Sequence, residues 1–106
     1  MSDKYIFYTK INNRRWAIRF IPEEKMREGD IGTCWSYKRT IDIDNSLEKE
    51  EARIILAHEL AHAFLASGGD IHQDQYNEEK VCDFVAWNID NIIQIRDEII
   101  SKRFDN

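Results

Sequence analysis

The chain has 106 residues, enough for one small domain with a modest core and too few for a second domain of ordinary size. Its sequence contains no apolar stretch long enough to cross a membrane, and residues 1–20 lack the uninterrupted apolar segment of a signal peptide. Cys34 and Cys82 lie far apart and form no CxxC pair. We therefore expect no disulfide framework and a cytoplasmic setting.

The net charge of −5 is unevenly distributed along the chain. Residues 1–39 hold nine Lys and Arg against five Asp and Glu, whereas residues 40–106 hold six against fifteen. The basic excess around Arg14, Arg15 and Arg19 is interpreted as a solvated strand face. Direct binding to nucleic acid is not a leading hypothesis.

The first part of the chain has the residue pattern of β-strands. Alternation of apolar and polar residues predicts strands over residues 5–10, 15–21, 32–37 and 40–43. Asn12 and Asn13 are typical turn residues between the first two strands. These features predict a small antiparallel sheet of three or four strands.

The second part of the chain is predicted to be helical. Asp44-Asn45-Ser46 is the expected N-cap of a first helix, which Gly68-Gly69 would end. Asn77 is the expected cap of a last helix from Glu78 to about Lys102. The predicted fold is α+β, a minimal zincin-like arrangement in one domain over residues 1–106. In it the sheet packs against the first helix and against the long C-terminal helix.

The first helix contains the motif HExxH, as His58-Glu59-Leu60-Ala61-His62. Two histidines four residues apart lie on one helical face, so both imidazoles can reach one metal ion. Glu59 lies one position round the helix, where it can take a proton from a zinc-bound water. The alternative is a chance motif, with two histidines at the edge of the core and Glu59 on the surface.

A catalytic zinc site also needs a third protein ligand and an open position for water. The candidates are His72, in the loop after the first helix, and Glu78 or Glu79, at the start of the last helix. Glu79 is preferred because Asp83, four residues later, could accept the outer N–H of a ligand histidine. The ligand types favour Zn²⁺, although manganese or iron could occupy the same site.

These motifs resemble the ImmA/IrrE group of small zinc metallopeptidases. The group's pattern is HExxH, a variable loop and then ExxxNxFA, and the second part is represented here by Glu79, Asp83, Phe84, Val85 and Ala86. The likeness covers about residues 16–95, with Asp83 in place of the usual Asn. It is also similar to the gluzincin arrangement, and compact versions of this kind occur in phages and mobile elements.

The resemblance implies a zinc-dependent endopeptidase in which His58, His62 and Glu79 bind the metal and Glu59 is the general base. Its substrate would be a regulatory protein such as a transcriptional repressor. An exposed edge of the sheet could hold that substrate as an added strand. Tyr37 and Tyr76 are candidate donors to an oxyanion, and His72 is a candidate substrate contact.

Two other hypotheses remain open at this point. The chain could keep the metal yet act by sequestering a partner, as an anti-repressor or a toxin–antitoxin component. It could instead hold a purely structural zinc ion, which would require a fourth protein ligand such as His72 or Asp83. The sequence does not fix the oligomeric state.

Overall fold

A computed structural model of the protein describes residues 5–68 and 77–105. The fold is α+β, as predicted, with a four-stranded sheet and two helices. A short 3₁₀ helix, Glu23–Lys25, lies between the second and third strands. The elements in chain order are β1 (Ile6–Ile11), β2 (Arg14–Ile21), β3 (Gly32–Trp35), β4 (Thr40–Asp44), α1 (Lys49–Ser67) and α2 (Glu78–Phe104).

The strands are ordered β1-β2-β4-β3. The sheet is mixed, whereas the sequence predicted a wholly antiparallel sheet. β1 and β2 form an antiparallel hairpin whose two loop residues, Asn12 and Asn13, both have positive φ, as a type I′ turn requires. β3 and β4 are also antiparallel, but β4 pairs in parallel with β2. The connection after β2 leads to β3 at the edge of the sheet, and β4 then fills the position between β2 and β3.

The core lies between one face of the sheet and α1. The strands contribute alternate residues, and α1 contributes residues spaced by three or four, as its helical periodicity requires. The C-terminal end of α2 completes the core, and the ring of Phe104 packs edge-on against Phe20 at 6.3 Å between centroids. The fully buried large side chains are Trp16, Phe20, Ile11, Ile18, Ile41, Ile43, Leu56, Leu60 and Ile99.

The opposite face of the sheet is held together by Asp42 of β4. Its carboxylate accepts two hydrogen bonds from the guanidinium of Arg19, at 2.7 and 2.9 Å, and one from the indole Nε1 of Trp35, at 3.0 Å. These bonds join β2, β4 and β3, and charge-assisted bidentate pairs of this kind are both strong and directional. The network therefore fixes the edge strand β3 in register with the rest of the sheet.

α1 does not begin where the sequence predicted. Its N-cap is Glu48, which forms a capping box with Glu51. Asp44, which was predicted to belong to the N-cap, is instead the last residue of β4. Its carboxylate accepts hydrogen bonds from both the backbone N–H and the hydroxyl of Ser46. Asp44 thus stabilises the turn between β4 and α1, and the helix starts two residues after Leu47.

α2 begins as predicted, since the side chain of Asn77 accepts a hydrogen bond from the backbone N–H of Lys80. Its buried residues, Ile92, Ile99 and Ile100, all lie in the second half, and Phe84 of the first half is only partly buried against the core. The first half exposes apolar side chains that a core helix would bury, among them Val81 and Val85, which are 50% and 46% exposed. Neither described helix is long and apolar enough to span a membrane.

Candidate functional site

α1 presents His58 and His62 side by side on its solvent face. Both side chains are exposed, and their ring centroids lie 5.0 Å apart. The four-residue spacing produces this geometry, because residues i and i+4 are stacked one turn apart along a helix. Two imidazoles in this arrangement supply two nitrogen donors of the kind that zinc accepts.

Glu59 lies between these histidines in sequence but has a different environment. It is only 7% exposed, and it packs beside Gly32, the first residue of β3. The structure therefore has exposed histidines and a buried glutamate, the reverse of the arrangement expected for a chance motif.

Gly32 allows the helix to approach the edge strand this closely. A Cβ atom at this position would lie 2.5 Å from Cγ2 of Ile55 and 3.1 Å from Oε2 of Glu59. Any other residue would displace the side chain of Ile55 and crowd that of Glu59. Sequence reasoning missed Gly32, since a glycine at a strand start gives no indication of which helix will pack against it.

Burial changes the protonation of two groups in this contact. It raises the pKa of Glu59, an effect that positive charge on His58 and His62 opposes and that Asp30 reinforces. Burial, with a smaller contribution from the charge of Glu59, also raises the pKa of the Cys34 thiol to about 12. Cys34 is therefore a protonated thiol at neutral pH, next to a carboxyl group that holds its proton more tightly than a solvated glutamate.

The two cysteines should differ in reactivity. Cys34 is partly buried with a raised pKa, whereas Cys82 is exposed on α2. Because the thiolate is the reactive form, we expect iodoacetamide at pH 8 to label Cys82 at least about a hundredfold faster than Cys34. Mass spectrometry of the labelled protein would measure both rates.

The matched variant for this comparison is Cys82→Ser, which should take up almost no label while folded. In denaturant Cys34 should react at an ordinary rate, because unfolding removes the burial that raises its pKa. Equal labelling of both cysteines in the native protein would contradict the placement of Cys34 against α1.

The predicted third ligand lies on α2. Glu78, Glu79 and Asp83 are all exposed on the first turns of that helix. Across residues 5–68 and 77–105, the structure assembles no group of three or more His, Cys, Asp or Glu side chains that could hold a metal ion. The donors thus fit zinc as a pair, and the roles of Glu79 as ligand and Asp83 as its neighbour stay predictions.

Three further residues were predicted to contact the substrate or an oxyanion. His72 and Tyr76 lie outside the described residues. Tyr37 is 84% exposed in the turn between β3 and β4, where it lines a cavity with Arg14 and Arg39. Its predicted role as a donor to an oxyanion stays a prediction.

Comparison with known proteins identifies one family. The sequence profile described as the IrrE N-terminal-like domain, a peptidase family, matches residues 6–81. The matched segment runs from β1 through α1 to the first turn of α2, so it includes His58, Glu59, His62 and Glu79, and it ends before Asp83. No curated protein and no solved structure matches the chain.

Proposed function

Because the chain belongs to the peptidase family of the IrrE N-terminal-like domain, we propose that it is a zinc-dependent endopeptidase that cleaves a regulatory protein. A transcriptional repressor is the substrate class that this proposal favours. The observation that carries it is the placement of Glu59, buried against the edge strand while the flanking histidines face solvent. That division suits a general base held in place next to two ligands that stay open to a metal ion.

In this proposal His58 and His62 hold the metal through their imidazole nitrogens, and Glu79 provides the third ligand. Asp83 would accept the outer N–H of one of the histidines and so fix its tautomer. Zinc, when bound, supplies a Lewis acid that polarises a peptide carbonyl and makes water more acidic.

Glu59 performs the proton transfers. Its carboxylate removes a proton from the attacking water and returns that proton to the amine of the leaving peptide. The burial of Glu59 beside Gly32 limits the positions that its carboxylate can adopt. A base held in this way needs little rearrangement before it can act.

The substrate would bind as an additional strand at β3. β3 lies at one edge of the sheet, beside Glu59, and an extended peptide paired with it would bring one of its bonds to that carboxylate. Main-chain hydrogen bonds to an edge strand give affinity without fixing the sequence. Selectivity must then come from side-chain contacts around the edge.

The cellular setting is also part of the proposal. Cys34 and Cys82 are both free thiols, which suits a reducing compartment such as the cytoplasm. A cytoplasmic peptidase would meet regulatory proteins there, in keeping with the proposed substrate.

The proposal can be tested without knowing the natural substrate. The zinc-loaded protein would be incubated with a defined mixture of peptides covering many sequence contexts, and the products would be identified by mass spectrometry. We expect internal cleavage that stops when the zinc is chelated and resumes when zinc is restored. Absence of cleavage by fully loaded protein would contradict an endopeptidase and favour action by sequestration.

A further inference from the structure

A cavity of about 340 Å³ lies at the end of the sheet nearest the last turn of α1. We call it the arginine cavity. Its lining residues come from the β1–β2 turn, from β2, from the β3–β4 turn and from the end of α1. Those used below are Arg14, Trp16, Ser36, Tyr37, Arg39 and Ala66.

Trp16 lies at the inner side of the arginine cavity. Its side chain is 2% exposed, and its indole Nε1 is buried with no hydrogen-bond partner among the described residues. Buried N–H donors in proteins nearly always have an acceptor. Because Trp16 lines the cavity, its indole N–H resonance would respond to a charge bound there, although Nε1 itself has almost no accessible surface.

The two arginines define the charge of a ligand that would suit this cavity. Arg39 uses its Nε to donate to the backbone carbonyl of Arg15 at 3.3 Å, while the side chain of Arg14 has no hydrogen bond or ion pair within the described part of the chain. No carboxylate occurs among the described residues that line the cavity. Paired guanidinium groups without a counter-ion favour a carboxylate or a phosphate.

The backbone at Arg39 adds an independent observation. Arg39 has a φ of +50°, in the left-handed region that usually favours glycine or asparagine. An arginine at such a turn position is unusual, and Arg39 lines the same cavity as Arg14. This conformation is the kind of local strain that often accompanies a binding site.

The arginine cavity is also continuous with the proposed substrate path. β3 begins beside Glu59 and runs directly into Ser36 and Tyr37, which line the cavity. Along α1, the lining residue Ala66 lies one turn beyond His62, about 6 Å by helical rise. A peptide extended along β3 would therefore reach both Glu59 and the cavity.

We propose that the arginine cavity binds an oxyanion through the guanidinium groups of Arg14 and Arg39, beside the indole of Trp16, and that this oxyanion is the carboxylate of an acidic substrate side chain. The second part rests on the proposed function. The first part does not, because oxyanion binding needs neither the metal nor catalysis. The cavity would thus give the enzyme a preference for peptides with Asp or Glu a few residues from the cleaved bond.

Binding would be measured on ¹⁵N-labelled protein, by following the indole N–H resonance of Trp16 while small probes are added at constant ionic strength. The probes are N-acetyl-glutamate amide, its uncharged glutamine counterpart and inorganic phosphate. We expect a saturable shift with the glutamate probe and none with the glutamine probe. A response to neither probe, or an equal response to both, would overturn the proposal.

Variants of the arginines test the assignment of the donors. Arg14→Gln and Arg39→Gln should each weaken binding of the glutamate probe by roughly 10- to 100-fold, as expected for loss of a charged hydrogen bond. The matched control is Arg15→Gln, because Arg15 neighbours Arg14 in sequence but stacks on the ring of Tyr8, 4.7 Å from its centroid. Equal affinity in all three variants would overturn the assignment, and the wild-type titration stands even if a variant fails to fold.

The source of the oxyanion is tested separately. Peptides that the zinc-loaded protein cleaves would be compared with versions in which Gln replaces Glu on one or the other side of the cleaved bond. We expect that replacement on one of the two sides raises KM and changes kcat little. Unchanged KM throughout, or binding of phosphate that acidic peptides do not displace, would overturn the substrate assignment and indicate a free anion. Oxyanion binding without any peptide cleavage would leave the cavity standing and contradict the proposed function alone.

Discussion

Replacing Glu59 with glutamine should lower the rate of peptide hydrolysis by roughly 10²- to 10⁴-fold, the usual contribution of a general base. The amide has nearly the shape of the carboxylate but cannot accept the proton of the attacking water. Since Glu59 is 7% exposed and its pKa is raised by burial, removing its charge should leave the fold intact or slightly more stable. The measurement is kcat/KM on a cleaved peptide, together with the melting temperature.

The matched control is Glu50→Gln on the same helix. Glu50 is exposed and pairs with Arg53 on the surface, so its replacement should change neither hydrolysis nor stability appreciably. Metal content should be the same in both variants and in the wild type. If Glu59→Gln retained full hydrolysis, Glu59 could not be the base, and the proposed mechanism would be wrong.

Gly32→Ala should reduce both stability and activity. The added Cβ would lie too close to the side chain of Ile55, which must shift, and it would press on the side chain of Glu59. Overpacking of this kind typically costs about 1–3 kcal/mol. Displacement of Glu59 should also lower hydrolysis, and urea unfolding with parallel activity assays would measure both effects.

Gly68→Ala is the same substitution at a permissive position. Its Cβ would lie 3.5 Å from the nearest atom, the carbonyl oxygen of Phe64, and its φ of −82° suits alanine. We expect this variant to be neutral or slightly stabilised, since alanine restricts the unfolded chain. Equal stability of the Gly32 and Gly68 variants would contradict the close packing of α1 on β3.

Local residue patterns were sufficient to predict the elements and the histidine pair. A period of two residues identified the strands, and the four-residue spacing placed His58 and His62 on one helical face. The family was also confirmed, because residues 6–81 match the profile of a peptidase family.

Features that depend on which elements become neighbours could not be predicted. Alternation shows which face a strand buries, but it does not show that β4 would pair in parallel with β2. The contact between Gly32 and Glu59, and the unpartnered indole N–H of Trp16, arise from packing between segments far apart in sequence. The exposed first half of α2 likewise departs from its apolar pattern, since amphipathicity does not identify the partner of a face.

Measuring the zinc content of the purified protein would test the proposed metal site. Protein purified without a histidine tag or added metal would be analysed by elemental mass spectrometry, beside His62→Ala and Glu79→Ala. We predict about one zinc per chain in the wild type, as for a catalytic site with three protein ligands, and loss of zinc in both variants. Loss of zinc in His62→Ala alone would assign the third ligand to a residue other than Glu79. A wild-type protein that takes up no zinc even when zinc is supplied would contradict the proposed zinc site.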